Sequence, residues 1–453
     1  MALMFGRVKE GTSPHEREGN RAPAPVNTAK NPLRVLRHRD YRRMWIGFVV
    51  SDIGTWMQLI TVASLIASRT GSALKSGLVS AVTFAPQLIS SPVAGVLADR
   101  FERRKMFLWI LLCQTIGAVI LALAISNGQS ATILTCIVLA QGLIGSMANP
   151  VVSAILPDLV PKDELLSAAS LGSISWNSGR IVGPIFSAAL MAAVGPTWSV
   201  LGNALSFALL FWVVLSIKRT FYPHATDSTD GFLLRMRTGF AVLYQTKTCL
   251  FAFVGSILSQ LLIAPFIGLL PYFAATKLKT GNSGVGVLMS TMGVSSLIGS
   301  LCLSWLVGQF GRPRVAVGSL ALGAVGLLAL SRATTTITAM ASIALLGSCF
   351  ICGFLAVNSV VLRDSPPEAR GRISSLFAAC VGTSYGTGVV WMGAVADRSG
   401  LDVAFVIGAC IALVLLGLSA VFVNKQWRSL GSGDQASLRA RRAGLVPALD
   451  HEP

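Results

Sequence analysis

The sequence predicts an all-α membrane protein with twelve transmembrane helices in two six-helix bundles. Of its 453 residues, 53% are hydrophobic and only 12% are charged, about half the charged share of an ordinary soluble domain. Uncharged stretches such as Met106 to Pro157 and Thr280 to Gly311 are longer than amphipathic soluble helices allow. A polar segment, 218–247, lies near the middle of the chain. These features exclude a disordered chain, a disulfide-rich scaffold and a soluble α/β enzyme.

Charged residues and turn signals divide the apolar sequence into twelve candidate spans. A spanning helix needs about 20 apolar residues, and Asn127-Gly128-Gln129-Ser130 and Gly195-Pro196 have typical turn compositions. The predicted spans are 44–67, 76–98, 106–126, 131–156, 165–193, 197–217, 248–275, 283–307, 315–331, 336–361, 373–396 and 403–424.

Basic residues are distributed unequally between the two sides of these spans. With the N-terminus inside, the inner segments contain 30 Lys and Arg residues and the outer loops contain six. Because Lys and Arg accumulate on the cytoplasmic side of membrane proteins, both termini are predicted to be cytoplasmic. The net charge of +18 then reflects topology, and no nucleic acid partner is expected.

Polar segments set the predicted domain boundaries. Residues 1–33 and 426–453 are low in apolar content and are predicted to be disordered cytoplasmic tails. Residues 34–217 form the N-terminal six-helix bundle and 248–425 the C-terminal one. The segment 218–247 is predicted to be a cytoplasmic linker, and its mixed apolar and basic residues also fit a helix that lies along the membrane surface.

Two ionisable residues, Asp52 and Arg180, fall well inside predicted spans. Such residues cost about 2.5 to 3.5 kcal/mol at a helix centre and usually face a cavity or a partner. One hypothesis is that Asp52 takes up and releases a proton while Arg180 adjusts its affinity or holds an anionic group. A structural ion pair, or an Asp52 close enough to the surface to stay hydrated, explains the two residues equally well.

The two halves of the chain show a weak internal repeat. Val152 to Asp158 resembles Ser359 to Asp364, and each segment ends a predicted span at the cytoplasmic side. Two halves related by a parallel repeat are typical of transporters that rock around a site at the bilayer midplane.

The loop after the second predicted span carries a short charged motif, Gly95-Val96-Leu97-Ala98-Asp99-Arg100-Phe101-Glu102-Arg103-Arg104. It resembles the G-x-x-x-D-R-x-G-R-R signature of the major facilitator superfamily, with Glu102 in place of the second glycine. The resemblance implies the twelve-helix fold of that superfamily and a gating loop in which Asp99 meets the start of the eleventh helix, near Arg372 to Ser375. A basic loop that only fixes topology is the alternative. The candidate gating residues are Gly95, Asp99, Arg100, Arg103, Arg104 and Asp158, the last as a partner for Arg103 or Arg104.

A second motif lies in the fifth predicted span. Gly179-Arg180-Ile181-Val182-Gly183-Pro184-Ile185-Phe186-Ser187-Ala188 is similar to the antiporter signature G-x-x-x-G-P-x-x-G-G, with Ser187 and Ala188 replacing its last two glycines. The resemblance implies that Gly179, Gly183 and Pro184 favour exchange over leak, although close helix packing explains the same residues. The segments 51–58 and 69–73 resemble the exporter branch that includes macrolide efflux proteins and enterobactin exporters, and the overall likeness covers about 34–425.

The superfamily fold implies that the first, fourth, seventh and tenth spans line a substrate cavity. An apolar wall with few polar groups suits an amphiphilic ligand, although helix packing explains each polar residue individually. The polar or amphipathic candidates on these spans are Thr55, Trp56, Gln58, Gln141, Asn149, Gln260 and Asn358.

These observations predict a secondary active transporter that exports a hydrophobic or amphiphilic small molecule, such as a drug or siderophore, by proton-coupled alternating access. An importer or a lipid-handling carrier of the same fold is the alternative. A membrane-embedded enzyme or a sensor is disfavoured, because the spans lack clustered catalytic residues and neither end offers an output domain. The expected partners are the substrate, the proton and the lipid bilayer, with no cofactor and no metal. A monomer in the bacterial inner membrane is expected.

Overall fold

A computed structural model describes residues 32–87, 89, 90, 93, 94, 97, 101–161, 164–217, 247–364 and 370–418. Every regular element in these ranges is helical, and nine helical stretches there are long and apolar enough to cross a membrane. A 3₁₀ helix (Pro32–Arg37) precedes the α-helices. These are α1 (Arg39–Thr70), α2 (Ala73–Phe84), α3 (Arg103–Ser126), α4 (Ala131–Gly145), α5 (Ala148–Leu159), α6 (Leu165–Ala193), α7 (Pro196–Ser216), α8 (Lys247–Leu262), α9 (Phe266–Thr276), α10 (Gly281–Phe310), α11 (Arg312–Arg332), α12 (Thr336–Asp364), α13 (Arg370–Ser399) and α14 (Leu401–Leu418).

The predicted turns between spans are confirmed. Gly128 has a φ of 66°, and the side chain of Ser130 accepts a hydrogen bond from Ile133 N at the start of α4. Gly195 has a φ of 94° and Pro196 opens α7, in agreement with the preference of proline for the first helical turn.

Two predicted spans are interrupted in the structure. The fourth consists of α4 and α5, with a break at 146–147, and the seventh consists of α8 and α9, with a break at 263–265 that contains Pro265. Proline removes a helical hydrogen bond and clashes with the preceding turn, which explains the second break. The hydropathy pattern does not register either break, because neither break contains a charged residue.

Helices within each half of the chain pack closely together. In the first half, α1 packs against α6 and α7, and α3 packs against α7. In the second half, α12 packs against α10 and α11, and α13 packs against α8. The halves meet where α2 lies along α13, where α6 lies along α10, and where α9 contacts α1 and α2. The bundle boundaries, the number of spans and the side of the termini stay predictions. Most of the predicted tails and linker lies outside the described residues, in 1–31, 218–246 and 419–453.

A buried carboxylate fastens the start of the described chain to α6. Glu164 is only 3% exposed and accepts a hydrogen bond from Arg37 Nη2 at 2.9 Å. Its second oxygen lies 2.9 Å from His38 Nε2, and Arg34 Nε lies 3.8 Å from the first. A further hydrogen bond reinforces this junction, because Tyr41 Oη donates to the carbonyl oxygen of Ala168 at 2.9 Å.

Replacement of Glu164 by glutamine is expected to destabilise the protein. The variant leaves two arginines around a site that has lost its negative charge, and a hydrogen bond to a charged group contributes about 1.5 to 3 kcal/mol. The measurement is thermal unfolding in detergent. Asp402→Asn is the matched control, because Asp402 pairs with Lys277 at an exposed position, where ion pairs contribute about 1 kcal/mol or less. Equal melting temperatures for the two variants would contradict this role of Glu164.

Candidate transport site

Asp52 lies where α1 crosses α6. Its carboxylate is partly buried and accepts a hydrogen bond from Ser175 Oγ at 2.5 Å. A hydrogen bond from a neutral hydroxyl to a carboxylate holds the group in place without supplying a counter-charge. Ser175 itself is 1% exposed, so the partner of Asp52 belongs to the packed interior.

The glycines of the fifth predicted span permit this close crossing. A Cβ atom on Gly179 would lie 2.7 Å from the carbonyl oxygen of Asp52, and one on Gly183 would lie 2.7 Å from Cβ of Trp56. These distances are shorter than van der Waals contact, so any larger residue would push α1 and α6 apart. Pro184 follows within α6. The motif therefore determines the helix approach at Asp52.

Four aromatic side chains from both halves of the chain surround this crossing. Trp56 on α1 lies 5.5 Å from Trp176 on α6, measured between ring centroids, and both rings lie 6.2 Å from Phe84 on α2. Phe84 in turn lies 5.8 Å from Tyr385 on α13. These distances are typical of favourable aromatic pairs. We call Trp56, Phe84, Trp176 and Tyr385 the aromatic cluster.

Arg180 lies between two aromatic rings rather than beside Asp52. Its guanidinium carbon is 5.8 Å from the ring centroid of Trp56 and 5.6 Å from that of Phe350 on α12, within the range of cation–π interactions. Its Nη2 is buried without a hydrogen-bond partner in the described part of the chain. No ion pair joins Asp52 to Arg180 among those residues, so the hypothesis of a structural pair is wrong.

Several predicted cavity residues use their polar groups inside the first half of the chain. Gln58 Nε2 donates to Gln141 Oε1 at 3.0 Å, and Asn203 Nδ2 donates to Gln58 Oε1 at 2.8 Å. Thr55 Oγ1 donates to the carbonyl oxygen of Ser51 in its own helix. Such buried, mutually satisfied amides hold α1, α4 and α7 together.

The remaining cavity candidates differ in their surroundings. Gln260 is 7% exposed, and its Oε1 has no hydrogen-bond partner in the described ranges. Asn358 is partly buried and Asn149 is exposed. Of the predicted set, Trp56 is the residue that contacts both the aromatic cluster and Arg180.

The predicted gating loop is described only in part, because Gly95, Asp99 and Arg100 lie outside the described residues. Arg103 donates to the carbonyl oxygen of Ala154 at 3.0 Å and lies 3.8 Å from Asp158. Arg104 donates to the carbonyl oxygens of two residues at the end of α7, a usual way to satisfy a helix C-terminus. These contacts join α3 to α5 and α7.

A polar contact between the halves that the sequence analysis missed lies at the opposite end of the helices. The Asp397 carboxylate, at the end of α13, accepts hydrogen bonds from Ser72 Oγ at 2.6 Å, Ala73 N at 2.6 Å and Leu74 N at 3.4 Å. The two backbone donors belong to the start of α2, where free N–H groups and the helix dipole favour an anion. We call this contact the Asp397 latch.

A sequence signal for the Asp397 latch was present. Gly393-Ala394-Val395-Ala396-Asp397-Arg398 repeats the G-x-x-x-D-R pattern that begins at Gly95. The other missed residues, Ser175, Trp176, Phe84, Tyr385 and Phe350, belong to no motif, and only their three-dimensional contacts distinguish them from ordinary apolar or small residues of spans.

The model of a family described as transmembrane secretion effectors matches residues 30–449. The chain belongs to this family. It is therefore a transporter of the major facilitator superfamily and a multi-pass integral membrane protein, not an enzyme. Among its relatives, macrolide efflux protein A of Streptococcus pyogenes is 24% identical over 387 residues, which cover 82% of this chain and 94% of that protein. The multidrug resistance protein MdtG of Rahnella is 26% identical over 412 residues, which cover 88% and 94%.

Solved structures of other transporters share the fold of this protein at low sequence identity. The nucleoside transporter NupG superposes with a TM-score of 0.66 at 16% identity, over 84% of this chain and 98% of NupG. A POT family transporter in complex with 5-aminolevulinic acid superposes with a TM-score of 0.70 at 13% identity, over 85% and 96%. The all-helical major facilitator fold predicted from the sequence is thus confirmed.

Proposed function

We propose that this protein exports hydrophobic or amphiphilic small molecules from the bacterial cytoplasm in exchange for protons, by alternating access. The observation that carries the proposal is the position of Asp52. Its carboxylate lies at the close crossing of α1 and α6 that the glycines permit. Asp52 also precedes Trp56 of the aromatic cluster by four residues, about one helical turn. A proton acceptor therefore adjoins the surface on which an apolar ligand would bind.

The aromatic cluster supports an amphiphilic substrate. Its rings come from α1, α2, α6 and α13, so a ligand bound there would contact both halves of the chain. Aromatic walls with a few polar groups are typical of sites for drug-sized molecules. The names of the two efflux relatives favour export, and macrolides and other drugs are the first compounds to test.

The distribution of contacts between the halves supports a two-state mechanism. At the Asp397 latch the halves are joined by hydrogen bonds, and a Cβ on Gly393 would lie 2.8 Å from Cα of Leu74. With the predicted topology, this contact closes the outer end of the transporter, and alternating access requires it to break in the other state.

The proton gradient supplies enough energy for this task. One charge that moves through 100 mV releases about 2.3 kcal/mol. At about 1.4 kcal/mol per tenfold change, each proton supports a concentration ratio on the order of fifty.

The test compares bacteria that express the protein with bacteria that do not. A macrolide, a siderophore and a panel of fluorescent amphiphiles are measured for accumulation before and after an uncoupler collapses the proton gradient. The proposal predicts lower accumulation of at least one compound in expressing cells, with the difference abolished by the uncoupler. Higher accumulation in expressing cells would favour the alternative of an importer, for which the nucleoside transporter fold is a precedent.

Removal of the Asp397 latch is expected to open the outer end. Asp397→Ala deletes hydrogen bonds to an exposed carboxylate, which we estimate at about 1 kcal/mol, or about a fivefold change in the closed-to-open ratio. Leu74→Cys, in a chain whose eight native cysteines are replaced, would then react about five times faster with a membrane-impermeant maleimide added outside.

Asp402→Ala is the control for this experiment. It removes an ion pair with Lys277 that joins two helices of the same half, so the labelling rate of Leu74→Cys should stay unchanged. Equal labelling rates in Asp397→Ala and in the parent would show that the latch does not hold the outer end closed.

A further inference from the structure

One nitrogen of the Arg180 guanidinium has no hydrogen-bond partner in the described part of the protein. Arg180 Nη2 is buried, and no residue in the described ranges accepts a hydrogen bond from it. Its neighbours are the rings of Trp56 and Phe350. Cation–π contacts stabilise the charge from the ring faces, but they leave the in-plane N–H groups unsatisfied.

A second unsatisfied donor belongs to one of the two rings that Arg180 contacts. Trp56 is 6% exposed, and its Nε1 is also buried without a hydrogen-bond partner in the described part of the chain. Native proteins satisfy nearly all buried polar groups, so two such donors on contacting side chains are an unusual coincidence in a packed interior. An acceptor that enters from outside the chain would relieve both.

No side chain in the described part of the molecule offers that acceptor. Asp52 is hydrogen-bonded to Ser175 and forms no ion pair with Arg180. Tyr385 is buried in the aromatic cluster, and its hydroxyl accepts no hydrogen bond from Arg180 Nη2. Phe350 belongs to the second half of the chain and Trp56 to the first, so the unsatisfied guanidinium lies at the junction of the two halves.

We infer that Arg180 and Trp56 form a subsite for a carboxylate, and that the preferred substrates are ring-bearing organic acids whose apolar part packs on the aromatic cluster. This inference rests on the proposed function. A carboxylate has two acceptor oxygens, which match an arginine N–H and a second donor, and such charge-assisted bonds are stronger than neutral ones. Arg180 also contacts Phe350 of the second half, so the subsite lies at the junction of the two halves.

The test uses two dyes that differ at one group, rhodamine B, which has a free carboxylate, and its ethyl ester. Purified protein is measured for dye binding by fluorescence polarisation, and proteoliposomes are measured for transport. For rhodamine B, Arg180→Gln is expected to weaken binding and slow transport about tenfold, which corresponds to 1.4 kcal/mol. For the ester, the change should be less than twofold, because the ester oxygens form weaker bonds with Arg180.

Two further variants separate charge from folding. Arg180→Lys keeps the positive charge and should retain part of the preference for the acid. Arg332→Gln removes a charge from an exposed position at the end of α11 and should leave the acid-to-ester ratio unchanged.

The outcomes distinguish this inference from the proposed function. An equal loss for acid and ester in Arg180→Gln, or no binding of rhodamine B by the parent protein, would overturn the carboxylate subsite. Transport of the ester by the parent would still support export in either case. Binding of the acid that depends on Arg180, with transport of neither dye, would support the subsite and contradict the export of these amphiphiles.

Discussion

Replacement of Asp52 by asparagine is expected to abolish proton-coupled transport while the protein still folds and inserts. Asparagine has nearly the same shape, and its amide oxygen can accept the hydrogen bond from Ser175 that the carboxylate accepts now. A neutral amide, however, cannot bind and release a proton near neutral pH. Proton movement driven by substrate should therefore fall to the level of empty liposomes, a loss of 100-fold or more, given that one group carries the coupling.

The measurement uses proteoliposomes that contain a pH-sensitive dye, with rhodamine B ethyl ester and a macrolide as substrates. Ser175→Ala is the matched control, because it removes the hydrogen bond to Asp52 but keeps the carboxylate. We expect it to retain coupled transport at a lower rate. If Asp52→Asn moved protons as the parent does, Asp52 would have no role in coupling.

Replacement of Gly183 by a larger residue is expected to remove most of the transport activity, for a reason of packing rather than of protonation. A Cβ at this position would lie 2.7 Å from Cβ of Trp56 and 2.8 Å from the carbonyl oxygen of Ile53, and neither neighbour can move away without displacing α1. Overpacking of this kind costs about 1 to 3 kcal/mol. It would also shift the aromatic cluster relative to Asp52, so we expect Gly183→Val to lose at least nine-tenths of its transport rate.

Gly172→Val is the control for this substitution, since Gly172 lies on the same helix and an added Cβ there would meet no atom within 4 Å. Both variants place the same side chain in α6, so their helix propensities are matched. We expect Gly172→Val to keep most of its activity. Equal transport by the two variants would contradict the importance of the close α1–α6 crossing.

The sequence was sufficient to predict the features that depend on local chemistry. Uncharged runs predict helices in lipid, and the turns at Gly128 and Gly195 follow from residues that tolerate positive φ. The importance of Gly179 and Gly183 was also predictable, because small residues at this spacing permit close helix contact. These features require no knowledge of which helices are neighbours.

Features that depend on the arrangement of helices were predicted poorly. Asp52 and Arg180 are the two charges inside spans, so an ion pair between them was a reasonable hypothesis. The structure instead places Ser175 beside Asp52 and two aromatic rings beside Arg180. Gln58 and Gln141 were assigned to the cavity because the superfamily fold implies that the first and fourth spans line it, yet they bond to each other. Hydropathy and motifs do not specify which polar groups satisfy one another.

The central claim is that one site exchanges substrate for protons through Asp52. Its most direct test is the simultaneous measurement of rhodamine B ethyl ester flux and proton flux in proteoliposomes without any other ion gradient. The account predicts that an imposed pH difference drives the dye against its gradient, with protons moving in the opposite direction at a fixed ratio. Movement of the dye at the same rate with and without the pH difference, and with no accompanying proton flux, would contradict it.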